Sequence, residues 1–208
     1  MAIKQKRESK EETSEIVKTF FELAGLGVIP RSGLIQYCYE NLETIAEHSH
    51  KVAFIAYFLA VMLKADVAKV LIMAILHDAA ETRTGDSNYP QKKYIDRHEA
   101  EAIRDQYSDL PSEIKNQLLP NILEYEERKS LESKIVKDAD YLAFYITLKQ
   151  LEFKGNQEAE IRTDMARKII DFLFLDKSKE LLKQILNADP NQWTRPLLLE
   201  TMKKKAYK

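Results

Sequence analysis

The apolar run Val70-Leu71-Ile72-Met73-Ala74-Ile75-Leu76 ends on His77-Asp78. An imidazole and a carboxylate side by side deliver two metal-ligand types to the margin of a hydrophobic core. The chain holds 4 histidines in all, so their positions carry information. His48 falls in line with Val52, Ile55 and Leu59 at helical spacing, on a core-facing stripe. A further acidic contribution can come from Val136-Lys137-Asp138-Ala139-Asp140, inside an otherwise apolar segment containing Ile135, Leu142, Phe144 and Ile146. A carboxylate facing a hydrophobic core is costly unless a cation meets it. One divalent ion satisfies all these groups, through two imidazoles and two carboxylates with water in the remaining positions. Periodicity leaves Asp138 and Asp140 as alternatives, because both have apolar neighbours at helical offsets. Alone, each histidine is a hydrogen-bonded core residue and each aspartate a cap or surface group. Their coincidence is what points to an ion.

Long helices are needed to carry such groups, and 5 Gly and 6 Pro in 208 residues favour long helices with short connections. A helix over residues 13–26 puts Ile16, Phe20, Leu23 and Ala24 on one face, with Gly27 as its stop. Residues 44–64 are apolar nearly all round, the pattern of a central, buried helix. Asp66 is the N-cap expected for the next helix, 67–77. Residues 85–94 form a loop over the candidate site, followed by helices over 98–107, 111–125, 131–153 and 164–187. Pro120 is expected to kink or split the second of these four. The last is expected to be interrupted near Asp176-Lys177. The charged residues 1–12 are expected to be disordered, 13–190 to form one domain, and 191–208 to be a tail whose basic end, 202–208, is solvated. Neither a strand-like alternation nor an internal repeat is present.

With 45% hydrophobic and 31% charged residues, the composition is that of a soluble globular protein. A net charge of -1 creates no global field to recruit nucleic acid or a membrane surface. The longest apolar stretch, 52–63, is too short to span a bilayer. The single cysteine, Cys38, excludes an intramolecular disulfide and fits a reducing compartment, where it serves as a small hydrophobe. The start Met1-Ala2-Ile3-Lys4-Gln5-Lys6-Arg7 lacks the apolar core of a signal peptide, so a cytoplasmic location is expected.

The order His48 … His77-Asp78 … Asp140 resembles that of the HD-domain metal-dependent phosphohydrolases. Four segments resemble the YfbR-like 5′-deoxynucleotidases in particular: Pro30-Arg31-Ser32-Gly33, Glu43-Thr44-Ile45-Ala46-Glu47-His48-Ser49, His77-Asp78-Ala79-Ala80-Glu81-Thr82-Arg83-Thr84-Gly85-Asp86, and Val136-Lys137-Asp138-Ala139-Asp140. The resemblance implies an all-α HD-domain helical bundle with a buried metal site. Its metal ligands would be His48, His77, Asp78 and Asp140, the last chosen over Asp138 by the family's Val-Lys-x-x-Asp pattern. It implies Glu81 and Asp86 as the acid–base pair, and Arg31 as the contact to the substrate phosphate. One divalent ion (Mn, Co, Fe, Zn or Mg) is the implied cofactor, a nucleotide the implied substrate, and a homodimer the implied assembly. The expected reaction is release of phosphate from (deoxy)nucleoside 5′-monophosphates. Cleavage of another phosphoester, such as a nucleoside triphosphate or cyclic dinucleotide, and a non-catalytic metal-stabilised nucleotide-binding role are the alternatives. After the His-Asp the chain has Glu81-Thr82, where ppGpp hydrolases carry adjacent Glu-Asp. The chain also departs from the YfbR-like pattern at Ser32, where those enzymes have an aromatic residue. Lys137 and Arg83 are further phosphate candidates of lower rank, and Glu126 a candidate for the site's border. His50 and His98 fall outside the implied ligand set.

Overall fold

The computed structural model describes residues 2–38 and 42–206, and its regular structure is helical. Met1, Tyr207 and Lys208, at the ends of the expected disordered start and solvated tail, lie outside the described residues. By internal contacts the chain divides into two compact units, Met1–Ala143 and Phe144–Lys208, with the boundary inside one long helix.

The first unit begins with α1 (Ala2–Ala24), which continues into a 3-10 turn, Gly25–Val28. The helix thus starts well before the expected position 13, through the charged residues assigned to a disordered start. Ile16 and Leu23 pack on the core as expected, whereas Phe20 is exposed. After a second 3-10 turn (Ser32–Leu34) comes α2 (Ile45–Leu63). Its start is set by a capping box: Thr44 Oγ1 accepts from Glu47 N–H while the Glu47 side chain accepts from Thr44 N–H. One face of α2 is buried through Ile45, His48, Val52, Ile55, Ala56 and Leu59. The other, with Phe54, Tyr57, Phe58, Val61 and Met62, is exposed. The expectation of burial on every side therefore holds for half the helix, the half that faces α3 and the Gly25–Val28 turn.

Asp66 caps α3 (Val67–Leu76) by accepting from Lys69 N–H. His77 ends that helix, and a tight turn leads into the four-residue α4 (Glu81–Thr84). The expected loop over 85–94 contains a short helix, α5 (Tyr89–Lys92), capped by Asn88. Next come α6 (Glu99–Gln106) and α7 (Ser112–Glu127). Pro120 lies inside α7 without splitting it. Proline removes one backbone donor, and flanking turns on both sides carry the helix across the gap. The core of this region is Ala79, Ala80, Ile103, Tyr107, Leu110 and Ile122.

The unit boundary falls within α8 (Leu131–Phe153), whose limits match the sequence expectation. The second unit continues with α9 (Gln157–Lys168) and α10 (Asp176–Asn187). The helix expected over 164–187 is two, and the interruption expected near Asp176-Lys177 ends there, with α10 starting at Asp176. The first starts early because Asn156 caps it, and the break falls at Ile169, whose φ of -129° is not helical. The expected tail contains α11 (Thr194–Ala206), with Leu197, Leu198, Leu199 and Met202 exposed. Among the described residues, no helix is long and apolar enough to cross a membrane.

Candidate active site

Three backbone features bring the chemistry-bearing residues together. The first is an isolated bridge between Pro30 and Thr44. Arg31 N–H donates to Glu43 O (2.8 Å) and Ile45 N–H to Ile29 O (2.9 Å), pinning Arg31 beside the start of α2. The second is the end of α3. His77 Nδ1 lies 2.9 Å from Ala74 O, and a carbonyl can only accept, so Nδ1 carries the proton and Nε2 faces the site. The third is Gly85, whose φ of +70° opens a turn that side chains rarely adopt. That turn lets the Asp86 carboxylate accept from Ser32 N–H at 2.7 Å.

Among the described residues, His48, His77 and Asp78 offer ligand atoms within 4.8 Å of one another. Asp140, on α8, joins them through His48: its Oδ1 lies 3.0 Å from His48 Nε2 and 3.6 Å from Arg31 Nη2. Its other oxygen accepts from Lys137 Nζ at 2.7 Å. Asp138 is fully buried, and Asp140 is the residue of the pair that stands at His48. Arg31 Nη1 donates to Asp78 Oδ2 at 3.0 Å. Lys137 is thus in the site, whereas Arg83 forks onto Glu22 outside it (Nη2 to Oε2, 2.9 Å). His98 is exposed on a loop, and exposed His50 stacks edge-on against Phe54. Glu126 is exposed, 3.8 Å from Arg128.

The electrostatics are those of a cation-seeking pocket. Burial opposes ionisation of Asp78, but the adjoining His77 and Arg31 hold its carboxyl below the usual range. Asp140 is likewise held well below its ordinary value, against burial, by Lys137, His48 and Arg31. Burial, then the Arg31 charge, lowers His48. His77 is raised: burial would depress it, but Asp78, the Asp140 charge and the Ala74 carbonyl together outweigh burial. Glu81 is different. Burial pushes its carboxyl up to about 9, the charges of Asp78 and Asp86 adding to the effect. Its Oε1 accepts from Arg97 Nη1 at 3.1 Å, while Oε2 is buried with no hydrogen-bond partner.

These residues fit a metal ion. The buried Nε2 of His77 has no hydrogen-bond partner and stands 3.1 Å from Asp78 Oδ2. With Nδ1 already donating, neutral His77 aims a lone pair beside a carboxylate oxygen. Such an arrangement calls for a proton or a cation between the two atoms. A divalent ion is the cofactor this set accommodates, and nitrogen–oxygen donors do not select among Mn, Co, Fe, Zn and Mg.

Three contributors carried no weight in the sequence. Arg97 comes from a polar loop with no periodicity and reaches both Glu81 and Gly85 O (2.8 Å). Glu43 Oε1 lies 3.8 Å from His48 Nδ1, and its position directly before the Thr44 cap was the available signal. Tyr125 sets its ring edge-on to His77, with centroids 5.7 Å apart.

An all-helical fold with a His, His-Asp and Asp constellation at the meeting of α2, α3 and α8 defines a class of metal-site proteins. The chain belongs to the HD domain family, whose profile matches residues 24–181. It is similar to a 5′-deoxynucleotidase from Vibrio vulnificus, at 28% identity over 81% of this chain and 90% of the relative. A 5′-deoxynucleotidase from Erwinia tasmaniensis is 32% identical over 67% of this chain and 75% of its own. Among solved structures, a conserved hypothetical protein from Pyrococcus furiosus superposes with a TM-score of 0.68 at 27% identity, covering 83% of this chain and 99% of that one.

Proposed function

We propose that the protein is a metal-dependent 5′-nucleotidase that releases phosphate from (deoxy)nucleoside 5′-monophosphates. The observation that carries this reading is the convergence of His48, His77 and Asp78 beside a buried Glu81 with one unpartnered oxygen. The names of the relatives, which cover most of the chain, support the same reaction.

In this reading His48, His77, Asp78 and Asp140 hold one divalent cation. When bound, that ion acidifies a water and withdraws charge from the phosphate. Arg31 grips the phosphate oxygens: its fork has five donors, and its present contacts to Asp78 and Asp140 leave others to share. Asp86, steadied at Oδ2 by Ser32 N–H, takes the proton of the attacking water. Glu81 holds a proton at neutral pH and gives it to the departing O5′ of the sugar as the P–O bond breaks.

The profile match across 24–181 supports treating 13–190 as one functional domain. A cytoplasmic homodimer completes the reading. The outward face of α2, with Phe54, Tyr57, Phe58, Val61 and Met62, supplies an apolar surface for a second copy to cover. Light scattering on the purified protein and on Phe58→Glu checks this, and a monomeric parent removes the dimer.

The activity test is a phosphate-release screen across ribo- and deoxynucleoside monophosphates with Mn²⁺ or Co²⁺. Release is expected, is abolished by a chelator, and is absent in Asp78→Ala. No release from any monophosphate overturns the proposal.

A further inference from the structure

Arg97 belongs to neither the expected ligand set nor the expected catalytic pair, yet it is committed to the catalytic turn. Its side chain is 12% exposed. The Nη1 nitrogen has two protons, one directed at Glu81 Oε1 (3.1 Å) and the other at Gly85 O (2.8 Å). The Nη2 nitrogen pairs with Glu99, in the first turn of α6. One guanidinium therefore ties the first residue of α4, the carbonyl immediately before Asp86, and the start of a separate helix.

We propose that Arg97 is a positioning residue that holds Glu81 and the Gly85–Asp86 corner at a fixed separation, with Glu81 Oε2 left free for the reacting proton. The inference rests on the assignment of Glu81 as proton donor. Its physical basis is that Glu81 is unwelcome where it stands: it is buried, and the Asp78 and Asp86 carboxylates repel its ionised form. Arg31 is the other guanidinium whose charge reaches it. Without Arg97, the Glu81 carboxylate is free to turn toward Arg31, which removes the proton donor and occupies the phosphate grip in one movement. Engaging Oε1 alone prevents this without consuming the oxygen that acts. Lysine is no substitute, since an ammonium on a flexible stem lacks the planar fork that spans a carboxylate, a carbonyl and Glu99 together.

The test uses the full chain loaded with Mn²⁺ and compares Arg97→Ala, Arg97→Lys, Glu81→Gln and the double variant Arg97→Ala/Glu81→Gln. In Arg97→Ala, kcat is expected to fall roughly a hundredfold, the low end of what a positioned acid contributes, with KM changing less than about threefold. The double variant should be no slower than Glu81→Gln, because both changes remove the same proton transfer. Added guanidinium should restore part of the Arg97→Ala rate and none of the Glu81→Gln rate. Mn²⁺ affinity, measured by calorimetry, should match the parent in Arg97→Ala. If Arg97→Ala does not fold, Arg97→Lys carries the same comparison, with a large loss of kcat expected. Multiplying losses in the double variant, or an Arg97→Lys enzyme at the parent rate, overturns the role of Arg97 while leaving the phosphatase reading intact. A fully active Glu81→Gln overturns the assignment of Glu81, and this inference with it.

Discussion

The short helix α4 has a glutamate on each flank, and the two live in opposite worlds. On one side Glu81 is buried, holds one hydrogen bond to Arg97, and leaves Oε2 with none. On the other, Glu22 of α1 is surrounded by donors. It receives both arms of Arg83, the Thr82 hydroxyl at 3.2 Å and the Gln106 amide at 3.1 Å. The pKa values diverge accordingly: hydrogen bonding by Arg83 outweighs burial and lowers Glu22, while burial and like charges drive Glu81 up. A polar group whose every partner comes from the protein is part of the scaffold. A buried one left short of partners is held ready for something the chain does not supply.

The comparison breaks most readily on activity. Glu81→Gln should lower kcat by about 10²–10⁴-fold, the usual contribution of a positioned acid or base, with metal binding retained. Glu22→Gln should leave kcat near the parent value and cost roughly 2 kcal/mol of stability, because charge-assisted bonds from Arg83 become neutral ones. Steady-state kinetics and urea titration on the same two proteins check both halves. Equal kinetic loss in the two variants would erase the distinction.

Metal addition sharpens the contrast from the stability side. An ion that binds only the folded chain stabilises it by mass action, about 2.7 kcal/mol at a hundred times its Kd. Glu22→Gln should keep that increment, whereas Asp78→Ala, which loses one of the three groups that could hold the ion, should lose it. Thermal melts with and without Mn²⁺ measure it.

The pH dependence of the metal-free protein should run in opposite senses for the two carboxyls. Glu81 titrates at 4.5 ordinarily and at about 9 when folded, so between those values the folded form binds the extra proton. Stability from this group is full below pH 4.5 and is lost as pH rises toward 9. Glu22 has a lowered folded value, so its contribution is present above pH 4.5 and lost as pH falls. Urea midpoints collected across pH should show Glu81→Gln flattening the alkaline decline and Glu22→Gln flattening the acid one.

How much of this was readable in advance follows from which signals are local. The limits of α2, α3 and α8 agree with expectation because capping residues and helical periodicity coincide there: Thr44 with Glu47, then Asp66, then the apolar pattern after Ser130. The convergence of His48, His77 and Asp78 was foreshadowed because His and Asp at a core margin are costly without a partner. Where local signals are weak, expectation and structure part. The start of α1 is charged, with no apolar stripe to announce a helix. The residues before α9 lack strong periodicity, so the Asn156 cap went unread. Pro120 was given more breaking power than a well-supported helix allows it. Arg97 was invisible for a deeper reason: its partners lie 12 and 16 residues back, across a loop, and nothing in its own neighbourhood encodes that meeting.

The smallest test concerns the hinge between the two flanks. Thr82 follows Glu81 in the chain but turns its hydroxyl the other way, donating to Ala79 O at 3.0 Å and Glu22 Oε1 and accepting from the Gln106 amide at 3.1 Å. Thr82→Val keeps the shape and removes those bonds, while Arg83 still holds Glu22. A loss of about 1 kcal/mol is expected, the net value of an ordinary hydrogen bond, with kcat within a factor of two of the parent. The residue is adjacent to the proposed acid, so a mere error of a few tenths of an ångström transmitted through the backbone would show as a kinetic defect. Unchanged kcat with reduced stability means that α4 insulates its catalytic side from its scaffold side. A large fall in kcat means that the Glu22 network helps to aim Glu81, and that the two flanks work as one unit.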